Sequence, residues 1–106
     1  MKFTEYELLE LFDDKKVFDK EVYRAEYYIK YDDDFLFTLY ILPCEDYATV
    51  TLSKKNIDTF IFDIGLRNIE KIICKENKLF FYKLDNNEEP FLIVQVGPSV
   101  SLSFNA

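Results

Sequence analysis

The residues with the most chemical potential in this chain are its acids and its two cysteines. "YDDDF", residues 31–35, sets Asp32, Asp33 and Asp34 in a row between aromatics. Three adjacent carboxylates suit a hard cation or an acid–base pair. An EF-hand loop, however, spaces its acids at alternate positions, includes a glycine and closes on a glutamate. Here the triple runs straight into Phe35-Leu36-Phe37, a strand pattern, so no metal site is expected. The chain has no histidine, which removes the commonest catalytic base near neutral pH. Asp58 and Asp63 flank "TFIF" and are the acids expected to be partly buried, as hydrogen-bonded structural groups. Cys44 lies in "LPCED", where Glu45 and Asp46 disfavour a thiolate. Cys44 and Cys74 form no C-x-x-C pair and are expected to be reduced, half-buried small residues. Both glycines are isolated, so no phosphate-cradling loop is present. The chain is therefore read as non-enzymatic, with no catalytic residue, cofactor or metal.

The triple acid has a structural explanation. In "YRAEYYIKY" Tyr23, Ala25, Tyr27, Ile29 and Tyr31 share one face, and in "FLFTLYIL" Phe35, Phe37, Leu39 and Ile41 do the same. That period of two marks strands with one apolar and one wet face. Pairing Tyr31 with Phe35 sets Ile29 opposite Phe37, Tyr27 opposite Leu39 and Ala25 opposite Ile41. A register slip of one residue would oppose apolar to polar throughout. The loop is then Asp32-Asp33-Asp34, and such a loop needs one left-handed residue, which aspartate tolerates.

Other elements follow from the same rules. Thr4 and Glu7 predict a capping box, with Phe3 and Leu8 as its hydrophobic staple. A short helix over roughly residues 4–13 results, with Leu8, Leu9 and Phe12 on one side. "YATVTLS" turns Ala48, Val50 and Leu52 inward, and "IDTFIFDI" carries Phe60, Phe62 and Ile64 on one face until Gly65. "IEKIICK" and "KLFFYKL" predict a hairpin about Glu76-Asn77, with Ile73 facing Phe80 and Glu70 facing Lys83. "DNNEEP" is a polar loop, and "FLIVQV" and "VSLSF" are further strands. The expected fold class is α+β: an N-terminal short helix packed on a strongly twisted, mostly antiparallel meander sheet of about seven or eight strands. Residues 1–106 form a single domain.

Composition agrees. Hydrophobic residues are 49% and aromatics 18%, which disfavours disorder and favours strands. The net charge of −7, from 20 acids and 13 bases, argues against nucleic acid and suits a basic protein partner. The opening "MKFTEYELLELF" lacks the unbroken apolar run of a signal peptide. No run nears the ~18 apolar residues of a membrane span, so a cytoplasmic location without membrane contact is expected.

With its opener "FTEYELLELF", the run "IFDIGLRNIEKIIC" followed by "KLFFYKL", and the ending "VQVGPSVSLSF", the chain resembles the small acidic immunity proteins of bacterial polymorphic and contact-dependent toxin systems. Its Lys-, Asn- and Ile-rich usage is similar to that of AT-rich bacterial genomes. The resemblance implies occlusion of a cognate toxin of nuclease type with a basic cleft. Electrostatic steering would bring the two together at about 10⁸ M⁻¹s⁻¹ or more at low salt. Durable inhibition needs anchors, and tyrosines ringed by carboxylates provide them. The residues expected to bind the partner are Asp32, Asp33, Asp34, Tyr40, Glu45, Asp46, Tyr47, Glu88 and Glu89, with Asp58 and Asp63 in a second tier. Rival readings are an accessory subunit that holds its partner by an open sheet edge, a phage-encoded DNA mimic, and a small enzyme or ligand-binding barrel.

Overall fold

Alternation of apolar and polar residues organises most of the chain. The computed structural model describes residues 1–19, 21–31, 34–55 and 59–105. Among these residues one α-helix, α1 (Glu5–Leu11), precedes nine strands in two antiparallel sheets. The first sheet is a meander of β1 (Asp14–Asp19), β2 (Arg24–Lys30), β3 (Phe35–Leu42), β4 (Tyr47–Lys54) and β5 (Phe62–Leu66). The second is a meander of β6 (Ile69–Lys75), β7 (Lys78–Lys83), β8 (Leu92–Gln95) and β9 (Ser101–Phe104). The α+β class and the antiparallel meander are as expected. The strands number nine, and the meander is divided between two sheets where Arg67 and Asn68 link β5 to β6.

The inner faces of both sheets share one core. Tyr27, Phe37, Leu39 and Val50 come from the first sheet, and Ile72, Leu79, Phe81 and Leu92 from the second. Leu8 and Phe12 bring the helix into the same cluster, and α1 lies against β6. Leu9 was expected beside them but is 48% exposed, because a seven-residue helix has room for one narrow apolar stripe. Thr4 is the N-cap, yet its side chain makes no cap hydrogen bond, so the predicted capping box does not form. Its carbonyl instead accepts from Glu7 and Leu8 N–H. Phe3 packs on the core and stacks on Tyr23 at 6.4 Å.

The β2–β3 register matches the expectation: Ala25, Tyr27 and Ile29 lie opposite Ile41, Leu39 and Phe37. Tyr31 N–H donates to the Phe35 carbonyl at 2.9 Å, and Asp34 takes the left-handed conformation at φ 67°. Asp32 and Asp33 lie outside the described residues, as does Asp58.

The β6–β7 hairpin also turns where expected, with Ile73 opposite Phe80. Both Glu76 and Asn77 adopt positive φ, 53° and 62°, the signature of a type I′ turn. Glutamate is poorly suited to that conformation. Replacing Glu76-Asn77 by Asn-Gly should therefore raise stability by about 0.5–1 kcal/mol, read as a higher urea midpoint at unchanged slope. The predicted Glu70–Lys83 pair is absent. A bulge between Ile69 and Lys71 sets Ile69 opposite Lys83, and Glu70 pairs with Lys2 Nζ at 3.4 Å.

Two further expectations fail for local reasons. Phe60 is 58% exposed, because β5 begins two residues later at Phe62. Gly65 does not break the strand; it sits within β5 opposite Thr49. A Cβ there would meet Tyr47 Oη at 2.9 Å, so the glycine leaves space for the tyrosine ring.

Candidate functional site

The sequence-nominated residues fall into three separate places. Tyr40, Glu45 and Tyr47 converge on one groove, completed by Leu42, Arg67 and Asn68. Asp34 lies at the opposite end of β3 and lines a second depression with Lys30, Lys54 and Lys55. β3 has eight residues, and with seven rises of ~3.3 Å its two ends are roughly 23 Å apart. Glu88 and Glu89 lie on the β7–β8 loop of the second sheet, where Glu89 accepts from Asn105 Nδ2 at 3.3 Å.

The groove is built by strand ends. Pro43–Glu45 forms a single 3₁₀ turn after β3, which ends at Asp46 in the left-handed conformation, φ 51°. The turn brings β4 back beside β3, so Leu42 faces Tyr47. Asp46 is committed to the fold: its carboxylate pairs with the Met1 amino group and its carbonyl accepts from Ile69 N–H at 3.0 Å. Arg67 lies over the Tyr47 ring at 5.7 Å. Glu45 is exposed, and Tyr40 and Tyr47 are half-buried.

From this groove an aromatic and hydroxyl-rich surface extends across the outer face of the first sheet. Lys16, Glu26, Tyr40, Thr49 and Gly65 form one row across five strands. Asp14, Tyr28, Thr38, Thr51 and Asp63 form the next. Tyr28 donates to Glu26, and burial with that carboxylate pushes its phenol pKa up to about 12. Asp63 is exposed rather than partly buried, and accepts from Thr51 Oγ1 at 3.0 Å. Phe18 closes one rim: it packs on Tyr40 at 6.4 Å and lies under Lys16 and Arg24.

Sequence reading missed Phe18, because the β1 segment "DKKVFD" gives no apolar alternation. It also missed the outward face of α1, where Tyr6 is 68% exposed beside Leu9 and Glu10. The helical offsets of 6, 9 and 10 were a usable signal for that patch.

Among the described residues, no group of three His, Cys, Asp or Glu side chains is placed to hold a metal ion, and no charged or polar residue is fully buried. Cys74 is half-buried, as expected, and burial pushes its thiol up to about 12. Cys44 is exposed, because it projects from the turn after β3. A disulfide-exchange reagent at pH 8 should therefore modify one thiol per chain rapidly and the second only on unfolding. Equal rates for both thiols would contradict this burial.

Among the described residues, no helix is long and apolar enough to cross a membrane. No protein-family model matches the chain, and neither a curated protein nor a solved structure is similar to it.

Proposed function

We propose that this chain is a non-catalytic cytoplasmic immunity protein that binds a basic bacterial toxin domain, of nuclease type, and covers its active surface. The observation that carries the reading is the convergence of Tyr40, Tyr47 and Glu45 in one groove on a protein of net charge −7. Half-buried tyrosines give large contact area at small entropic cost; within the groove Glu45 is offset by Arg67, so the preference for a basic partner rests on the net charge of −7. Asp34 lies at the far end of β3 from the groove, and Glu88 and Glu89 line no part of it. Those acids act through the summed field, which raises the association rate.

The test is co-expression with the C-terminal domain of the protein encoded immediately upstream. Rescue of growth from a toxic domain supports the reading, and a harmless or unrescued domain removes it. In a rescued pair, Tyr40→Ala and Glu45→Lys should each weaken binding by roughly 30-fold or more. Binding unchanged in both variants would remove the groove from the interface.

A second reading, an accessory subunit joined through a sheet edge, is favoured by β5 and β9. Neither has a strand on its outer side among the described residues. Sedimentation equilibrium tests it: a concentration-dependent mass increase supports edge pairing, and a monomer at all concentrations does not.

A further inference from the structure

Charge is unevenly divided between the two sheets. β6 to β9 contain four lysines and one acid, Glu70, against five bases and four acids in β1 to β5, and the β6–β7 turn adds the exposed Glu76 between Lys75 and Lys78. Glu70 is already paired with Lys2. Register and alternation send three of the four lysines to one side; Lys83 has the opposite parity and lies over the Phe91 ring at 5.1 Å. Ile72, Cys74, Leu79, Phe81, Leu92 and Val94 face the core, so Lys71, Lys75 and Lys78 point outward with Ile73, Phe80 and Ile93. Ile73, Phe80 and Ile93 lie directly opposite one another across three strands, forming a half-exposed apolar row. Lys75 and Lys78 pair on one side of the row, and Lys71 lies over the Tyr82 ring at 4.5 Å on the other. An aliphatic and aromatic row is unusual on the solvent face of an antiparallel sheet, where polar residues normally alternate outward.

We infer that the outer face of the four-stranded sheet is a docking surface for an acidic peptide segment that carries apolar side chains. The lysines supply charge complementarity and the row supplies the apolar contact. A second copy of the chain fits poorly, since two such faces pressed together set lysines against lysines. Extended polyanions fit poorly too: a bilayer or a nucleic acid would meet the field of the whole molecule, at net charge −7, whereas a short peptide meets the local face within a Debye length of ~8 Å. This surface is independent of the tyrosine groove and does not rest on the immunity reading.

The experiment is a heteronuclear NMR titration of the full chain with a short glutamate-rich peptide containing phenylalanine and leucine. Shift changes should concentrate at Lys71, Ile73, Phe80 and Ile93. Lys75→Glu with Lys78→Glu should weaken binding by roughly tenfold or more, and Ile93→Thr tests the apolar contribution separately. Each variant must first show a native-like melting transition; Lys75→Glu alone, at an exposed position, keeps the test available if the others do not fold. Shifts on another surface, no saturable shift, or equal affinity for a lysine-rich peptide of the same pattern would overturn the inference. So would capture of this face by anionic vesicles or single-stranded nucleic acid in place of the peptide.

Discussion

Replacing Phe37 by alanine should destabilise the protein by about 3–5 kcal/mol. Phe37 is fully buried on β3, the central strand of the first sheet. Its ring packs on Phe12 at 6.1 Å and edge-on to Phe62 at 6.5 Å, so it joins the helix to the last strand of that sheet. Truncation removes the transfer energy of the ring, leaves a cavity and strands two aromatic partners. A domain of this size has ~5–15 kcal/mol of total stability, so the variant should sit near the threshold of folding. Chemical denaturation should show a much lower midpoint with little change in slope. Phe60→Ala is the matched control: that ring is 58% exposed and its loss should stay within about 0.5 kcal/mol. Similar losses for the two variants would contradict the placement of the core.

The second large effect concerns alkaline pH. Tyr27 is fully buried, and its hydroxyl shares a hydrogen bond with that of Tyr23 at 3.2 Å. Burial and that partner raise its pKa far above the ordinary value. Tyr31, whose hydroxyl donates to the carbonyl of Val96 just after β8, is pushed up to about 12 by burial. In the unfolded chain such phenols titrate near ~10. The folded state therefore favours the protonated form. The stability this provides is complete below pH ~10 and is lost as pH rises through the folded values. Cys74 has the same sign and starts lower, from its unfolded value of ~8.5. Denaturation midpoints should hold steady to about pH 8 and fall steeply above about pH 10. Tyrosinate absorbance should appear for the buried rings in step with loss of secondary structure. Tyr27→Phe should flatten the alkaline limb, and an unchanged limb would exclude Tyr27 as its main source.

What the sequence made legible was everything that depends on period and register. The β2–β3 pairing could be read because one slip would have exposed the apolar faces of both strands. The Glu76-Asn77 turn could be read from its length and the mirrored strands around it. β1 was hidden because it is a rim strand: Lys15 and Val17 pair with Tyr27 and Ala25 but remain partly or largely exposed, so no apolar residues are demanded there. The break between sheets was hidden because Arg67 and Asn68 look locally like any tight turn; what separates the sheets is which backbone groups pair further along. The candidate site was legible only in part for the same reason. Tyr40, Glu45 and Tyr47 are close in sequence and meet around one turn. Asp34 and Glu88 meet neither them nor each other, since sequence charge carries no information on which strand ends share a pole.

The two meanders have a kinetic consequence. Every named strand pair joins neighbours along the chain, so each hairpin closes a short loop and relative contact order is low for a protein rich in strands. The N-terminal segment is the exception. Lys2 bridges to Lys71 in parallel, with Lys2 N–H donating to the Glu70 carbonyl and Ile72 N–H donating to that of Lys2. This short clasp ties the start of the chain to the second sheet across the whole of the first. Among the described residues its loop is the longest in the backbone pairing, so its closure carries the largest entropic cost.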